Sequence, residues 1–195
     1  MSDAYSPIPE LNLLKEFYDR QPALSDGFEM YVYGQPDDVF VHWLDMAGSR
    51  DPELPGRLAR LVPFAQASGS GSFYALWRCD DRADLATLPV IRFGDEGDLD
   101  VIASGLRDLF RLLAVDDEWY MLDDGADDDA ADDGERSADH ADYLVWLRRT
   151  FGLTRPDDPQ AIIDAATAEY GRRFADWLRQ FASAEIADSV LEPSF

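Results

Sequence analysis

Apolar and polar positions change period several times along this chain, and each change marks an expected element. Leu11, Leu14 and Phe17, with Leu13 and Tyr18, recur at helical spacing, so Ile8 to Arg20 is expected to form a short amphipathic helix. Phe28 to Tyr33 (FEMYVY) carries the aromatic and β-branched bias of a strand and is broken by Gly34 and Pro36. In Val39 to Gly48 the first residues favour a strand, but Phe40, Trp43, Leu44 and Ala47 share a helical face that Asp37 or Asp38 could cap; helix is the expectation. Leu54, Leu58 and Leu61 mark another turn or two of helix, after which VPFA reads as extended. SFYALWR is apolar on both of its alternating faces, as a central strand is, and LPVIRF (Leu88 to Phe93) is a further strand stopped by GDEG.

The next run, LDVIASGLRDLFRLLA, reads as one helix. Val101, Ile102, Leu106, Leu109, Phe110 and Leu113 form a broad stripe, Asp98 or Asp100 can cap the start, and Gly105 lies inside. From Asp116 to Asp142 the character changes, and DDGADDDAADDGERSADHAD within it is low-complexity, acidic and nearly free of apolar residues. Such a stretch buries too little surface to offset the entropy of ordering, so a disordered loop is expected. Order returns at YLVWLRRTFGL. Ile162, Ile163, Ala166, Tyr170, Phe174, Trp177, Leu178 and Phe181 then keep helical spacing from Gln160 to about Ala187, with Asp157 or Asp158 and Pro159 as the start.

A length of 195 residues fits one domain with appendages and is enough for a substantial core. Charge changes the picture more. With 40 acidic against 17 basic residues, the formal net charge is −23. A chain so acidic repels nucleic acid and anionic membranes and favours basic proteins or cations as partners. Solubility, or adaptation to a salty cytoplasm, is the plainer reading of the same charge. No apolar run is long enough for a membrane helix and the N-terminal residues lack a signal-peptide pattern, so a cytoplasmic protein is expected. The lone Cys79 cannot form an internal disulfide.

Candidate chemistry is sparse. Ser68-Gly69-Ser70-Gly71-Ser72 could suggest a phosphate loop, but a strand rather than a helix follows and no Lys-Ser/Thr does, so it reads as a turn between paired strands. Aligning Gly134 with the turn glycine of a calcium loop puts Ala131 and His140 where ligands belong, so no defined metal site is expected. His42, in an apolar segment, reads as a partly buried structural imidazole, and His140, in the acidic stretch, as exposed. The acids of GDEGDLD (Gly94 to Asp100) could pair for acid–base work or hold a metal, but read more simply as a strand-to-helix turn complementing a helix N-terminus. No catalytic residue and no cofactor is expected.

PFAQASGSGSFYALW (Pro63 to Trp77), followed by the Pro-Val-Ile strand ending at Gly94-Asp95-Glu96-Gly97 and the helix after it, resembles the SUKH superfamily over about Leu54 to Leu113. The resemblance implies a single α+β domain, with a mostly antiparallel sheet packed on helices and with Gly71, Trp77 and Gly97 as fold determinants. It implies no catalytic residues. Many bacterial members are similar to immunity proteins that neutralise cognate toxins. On this reading residues 1–122 are the core, 123–139 an acidic disordered loop and 140–195 a helical C-terminal extension packing on the core.

The leading expectation is therefore a non-enzymatic immunity protein against a basic toxin, with a nuclease as one form of it. Its partner-binding candidates are Asp95, Glu96 and Asp98 together with Asp123, Asp124, Asp127, Asp128, Asp129, Asp132 and Asp133. A regulatory or scaffold module unrelated to toxins, and a metal-dependent enzyme using the Gly94 to Asp100 acids, are the alternatives.

Overall fold

A computed structural model describes residues 4–34, 39–116 and 136–191. The protein is α+β. Five strands, β1 (Glu29–Met30), β2 (Leu61–Gln66), β3 (Phe73–Trp77), β4 (Val90–Phe93) and β5 (Leu99–Ala103), form one antiparallel meander in chain order. SFYALWR is its central strand, as its two-sided apolar pattern predicts. Every residue of β3, β4 and β5 is buried. Alternate residues on a strand face opposite ways, so the sheet needs cover on both sides.

One face is covered by α1 (Pro9–Tyr18), α4 (Leu106–Leu113) and α5 (His140–Phe151), whose Leu11, Leu14, Phe17, Leu109, Phe110, Tyr143 and Leu147 pack with Phe64, Tyr74, Leu76, Val90 and Ile102. The other face is covered by α2 (Val39–Trp43), α3 (Leu54–Leu58) and a C-terminal layer. That layer comprises α6 (Pro159–Ala166), a π-helical turn at Thr167–Gly171, α7 (Arg172–Leu178) and α8 (Ala184–Ser189). Its Tyr170, Phe174 and Leu178 lie against Trp77 and its neighbours. Beneath α2 the stacked rings of Phe73 and Phe93, 4.8 Å apart, meet Phe40 edge-on. Contacts of this kind add about 0.5–1.5 kcal/mol each to simple burial.

Several expectations need correction. LDVIASGLRDLFRLLA is not one helix: Leu99–Ala103 is β5, Leu106–Leu113 is α4, and Gly105 stands between them. A strand buried on both faces is a continuous apolar run, which periodicity alone cannot tell from a buried helix. Gly105 is required by close approach, since a Cβ there would lie 2.8 Å from the Ala86 carbonyl oxygen. Asp100 is accordingly not a helix cap. Leu61 opens β2 rather than extending α3, and the strand expected over Phe28 to Tyr33 shrinks to Glu29–Met30, with Tyr31 N–H still bonded to Phe64 O at 2.9 Å. The helix expected from Gln160 to Ala187 ends at Leu178. A new one starts where Ser183 Oγ accepts from Ile186 N–H at 3.2 Å, which lets Ala187 and Val190 turn back into the core. The Asp158 cap with Pro159 behind it is observed, with Ala161 N–H at 3.0 Å from Asp158 Oδ1.

One charged pair sits inside the sheet. Arg92 on β4 and Asp100 on β5 are cross-strand partners, 2% and 7% exposed, and the Arg92 guanidinium donates to Asp100 Oδ2 through both Nε (3.1 Å) and Nη2. Asp98 Oδ2 lies 3.7 Å from the same Nη2. Removing one partner of a buried pair leaves an uncompensated charge. Asp100→Ala should therefore cost about 3 kcal/mol in urea unfolding, and Arg92→Met with Asp100→Leu should restore most of that loss. Gly105→Ala should cost about 1–3 kcal/mol in the same assay through overpacking against Ala86.

Candidate functional site

In a meander, alternate connections fall at the same end of the sheet. The β2–β3 turn (68–72) and the β4–β5 turn (94–98) are therefore neighbours, and they are joined by one side chain. Ser72 Oγ accepts from Asp95 N–H at 3.1 Å and donates to Asp95 Oδ1 at 2.8 Å. On the far side Trp43 Nε1 donates to Gly94 O at 2.9 Å, and the Trp43 ring meets Phe93 edge-on at 5.0 Å. Gly71 and Gly97 hold φ of +117° and +99°, the left-handed turn positions where a side chain would be strained. The turn carrying the candidate acids is thus fixed by a hydrogen bond on each side and an aromatic base.

The acids on this turn diverge. Asp95 is exposed and tied to Ser72, Glu96 is exposed, Asp98 is half-buried toward Arg92, and Asp100 points into the core. The turn is a hairpin rather than the start of a helix, so these acids do not complement a helix N-terminus as expected. Among the described residues no group of three or more metal-ligating side chains comes together.

Asp123, Asp124, Asp127, Asp128, Asp129, Asp132 and Asp133 lie outside the described residues. The residues flanking that stretch meet. Asp116, with a φ of +57°, accepts Ser137 N–H on Oδ2 at 2.7 Å and Asp26 N–H on Oδ1 at 3.0 Å. Ala23 and Asp139 exchange two further bonds: Ala23 N–H to Asp139 Oδ2 at 3.0 Å and Asp139 N–H to Ala23 O at 2.8 Å. Gly27, next to Asp26, packs on Ser68 so closely that a Cβ would lie 2.7 Å from Ser68 Cα. The chain thus leaves and re-enters the described structure at the end of the sheet that bears Asp95, Glu96 and Asp98.

His140 closes this junction and is 1% exposed, against the expectation of an exposed side chain. Its Nδ1 lies 3.0 Å from Leu24 O and 3.6 Å from Asp116 Oδ2. A carbonyl can only accept, so Nδ1 donates to it, and among the described residues the buried Nε2 meets no hydrogen-bond partner. His42, expected to be partly buried, is exposed. The histidine in the apolar segment falls on the outer side of α2, whereas the one beside the acidic stretch starts α5 and is buried with it.

Sequence reading missed Ser72, Arg92 and Asp116 as organisers of this end. Only Arg92 left a signal: a lone charge in the apolar strand VIRF needs an acid on a neighbouring strand. No known family model, curated protein or solved structure matches the chain. Among the described residues no helix is long and apolar enough to cross a membrane.

Hydrogen bonding from Ser72, with Ser70 adding to it, holds the Asp95 carboxyl below its ordinary value of 3.8. A lowered folded-state value means that Asp95 favours folding above pH 3.8 and loses this contribution as pH falls through its lower folded value. In Ser72→Ala the Asp95 carboxyl should titrate closer to 3.8, as followed by carboxyl ¹³C chemical shifts.

Proposed function

We propose that this chain is a non-enzymatic binding protein of the immunity type, which neutralises a basic toxin in the cytoplasm, a nuclease being the form its charge suits best. The observation that carries this reading is the fixed turn bearing Asp95, Glu96 and Asp98. It stands at the end of the sheet where the flanks of the acidic stretch also meet, in a chain of net charge −23. A negative surface speeds encounter with a cationic partner and can occupy a site built for phosphates. Holding the turn rigid reduces the ordering cost on binding.

Two further features support the reading. The SUKH resemblance over Leu54 to Leu113 covers β2, β3 and β4, although the single helix it expects after the acidic turn is a strand followed by a helix. The acids of Gly94 to Asp100 are committed to Ser72 and Arg92 or exposed singly, which suits a charged surface better than a reaction centre. On this reading Glu96 is a steering charge at the rim of the interface, and its removal affects encounter more than dissociation.

Co-expression with the product of the adjacent open reading frame tests the proposal. Growth inhibition by that product should be relieved and the two proteins should co-elute at low salt. Absence of both effects would overturn the reading. In Glu96→Lys the association rate measured by stopped flow should fall about three- to tenfold at low ionic strength and match wild type near 0.5 M salt, where charges are screened beyond a few ångströms.

A further inference from the structure

We propose that the end of the sheet opposite the acidic turn holds a binding site for a small molecule bearing a phosphate group. The connection from β3 to β4 and the entry to β2 fall at this end, and between them lies a cavity of about 390 Å³. Three arginines line it: Arg60 before β2, Arg78 after β3 and Arg82 in the connection. In a chain with 17 basic residues and a net charge of −23, this convergence runs against the charge of the whole molecule.

The three arginines differ in role. Arg82 is a wall of the cavity, because its Nε and Nη2 grip the two oxygens of Asp80 at 2.7 and 2.6 Å and its Nη1 donates to Thr87 O at 2.5 Å. That pairing neutralises Asp80 and holds its carboxyl well below the usual range. Arg60 is cross-braced to Arg78, with Arg78 N–H donating to Arg60 O and Arg60 Nη1 to Arg78 O, each at 2.8 Å. This spends one of the five guanidinium donors of Arg60 and fixes where the others stand. Among the described residues neither the Arg60 nor the Arg78 guanidinium is in a salt bridge, and Asp81 is the one lining carboxylate not gripped by Arg82.

Arg60 and Arg78, braced to each other through their backbones, both line the cavity with guanidinium donors to spare, and two such cations suit a phosphate dianion. A monocarboxylate would balance only one of their two positive charges. Among the described residues the rest of the lining is small or aliphatic, Ala59 and Leu85 among it, with no aromatic ring on which a base could stack. The ligand is therefore a compact phosphorylated solute rather than a nucleic acid. The site lies at the other end of the strands from Glu96, so it stands or falls independently of the immunity reading.

Titration of the full ¹⁵N-labelled chain with inorganic phosphate, at constant ionic strength, tests the proposal. Saturable shifts should be confined to the amide and Nε–H signals of Arg60, Arg78, Arg82 and their neighbours. Acetate should bind at least about tenfold more weakly. Arg78→Gln, at an exposed side chain, should weaken phosphate about tenfold, and Glu96→Gln should leave it unchanged. If Arg78→Gln does not fold, Arg60→Gln carries the same expectation. Shifts that do not saturate, that spread over all arginines, or that persist unchanged in the variant would overturn the site. Acetate binding as tightly as phosphate would overturn the phosphate assignment.

Discussion

The two-sided burial of β3, β4 and β5 is the constraint on which the rest of the structure depends. A strand with one wet face needs helices on one side only. These strands have none, so α1, α4 and α5 must close one face while α2, α3 and the C-terminal layer close the other. The C-terminal helices are thus half of the cover of the sheet: without Tyr170, Phe174 and Leu178, the side of β3 that carries Trp77 would face water. Burying a large apolar side chain is worth about 1.5–3 kcal/mol, so exposing a row of them would exceed the net stability of most domains.

The same constraint sends polar chemistry to the ends of the sheet. Among the described residues the interior along the strands admits charge only as the Arg92–Asp100 pair, in which the guanidinium fork donates to the carboxylate across neighbouring strands. Further charge beside the sheet must sit on its connections. Because the meander sends successive connections to opposite ends, the two groups of charge are separated by the length of the strands. Asp95, Glu96 and the flanks of the acidic stretch gather at one end, and Arg60, Arg78 and Arg82 at the other. Their separation limits cross-talk, since charges more than about 8 Å apart are largely screened at physiological salt.

Much of the fold was legible before the structure. α1, β3, β4 and the Asp158–Pro159 helix start follow from spacing and capping residues that act locally. Failures cluster where a tertiary contact overrides the local pattern. Val101 and Ile102 can be read on a helical stripe, but they lie on opposite faces of a strand because both faces are covered. Phe181 continues a helical pattern, yet the chain bends there to bring Ala187 and Val190 back to the sheet. His42 and His140 were read from their neighbours in sequence, and each has the opposite burial because helix orientation decides which side faces the core.

The candidate site divides in the same way. Sequence alone determined that the chain is strongly acidic, that a glycine–serine turn joins two strands at Ser68 to Ser72, and that a turn rich in acids follows the Pro-Val-Ile strand, because composition and turn chemistry are local properties. Only the tertiary structure decided that these two turns touch, that Ser72 ties Asp95 down, and that Asp116 fastens both ends of the acidic stretch beside them. It alone brought Arg60 and Arg78, eighteen positions apart, onto one cavity. The physical reason is register: the pairing of Leu61 with Trp77 across β2 and β3 sets which distant side chains become neighbours, and no single segment encodes that pairing.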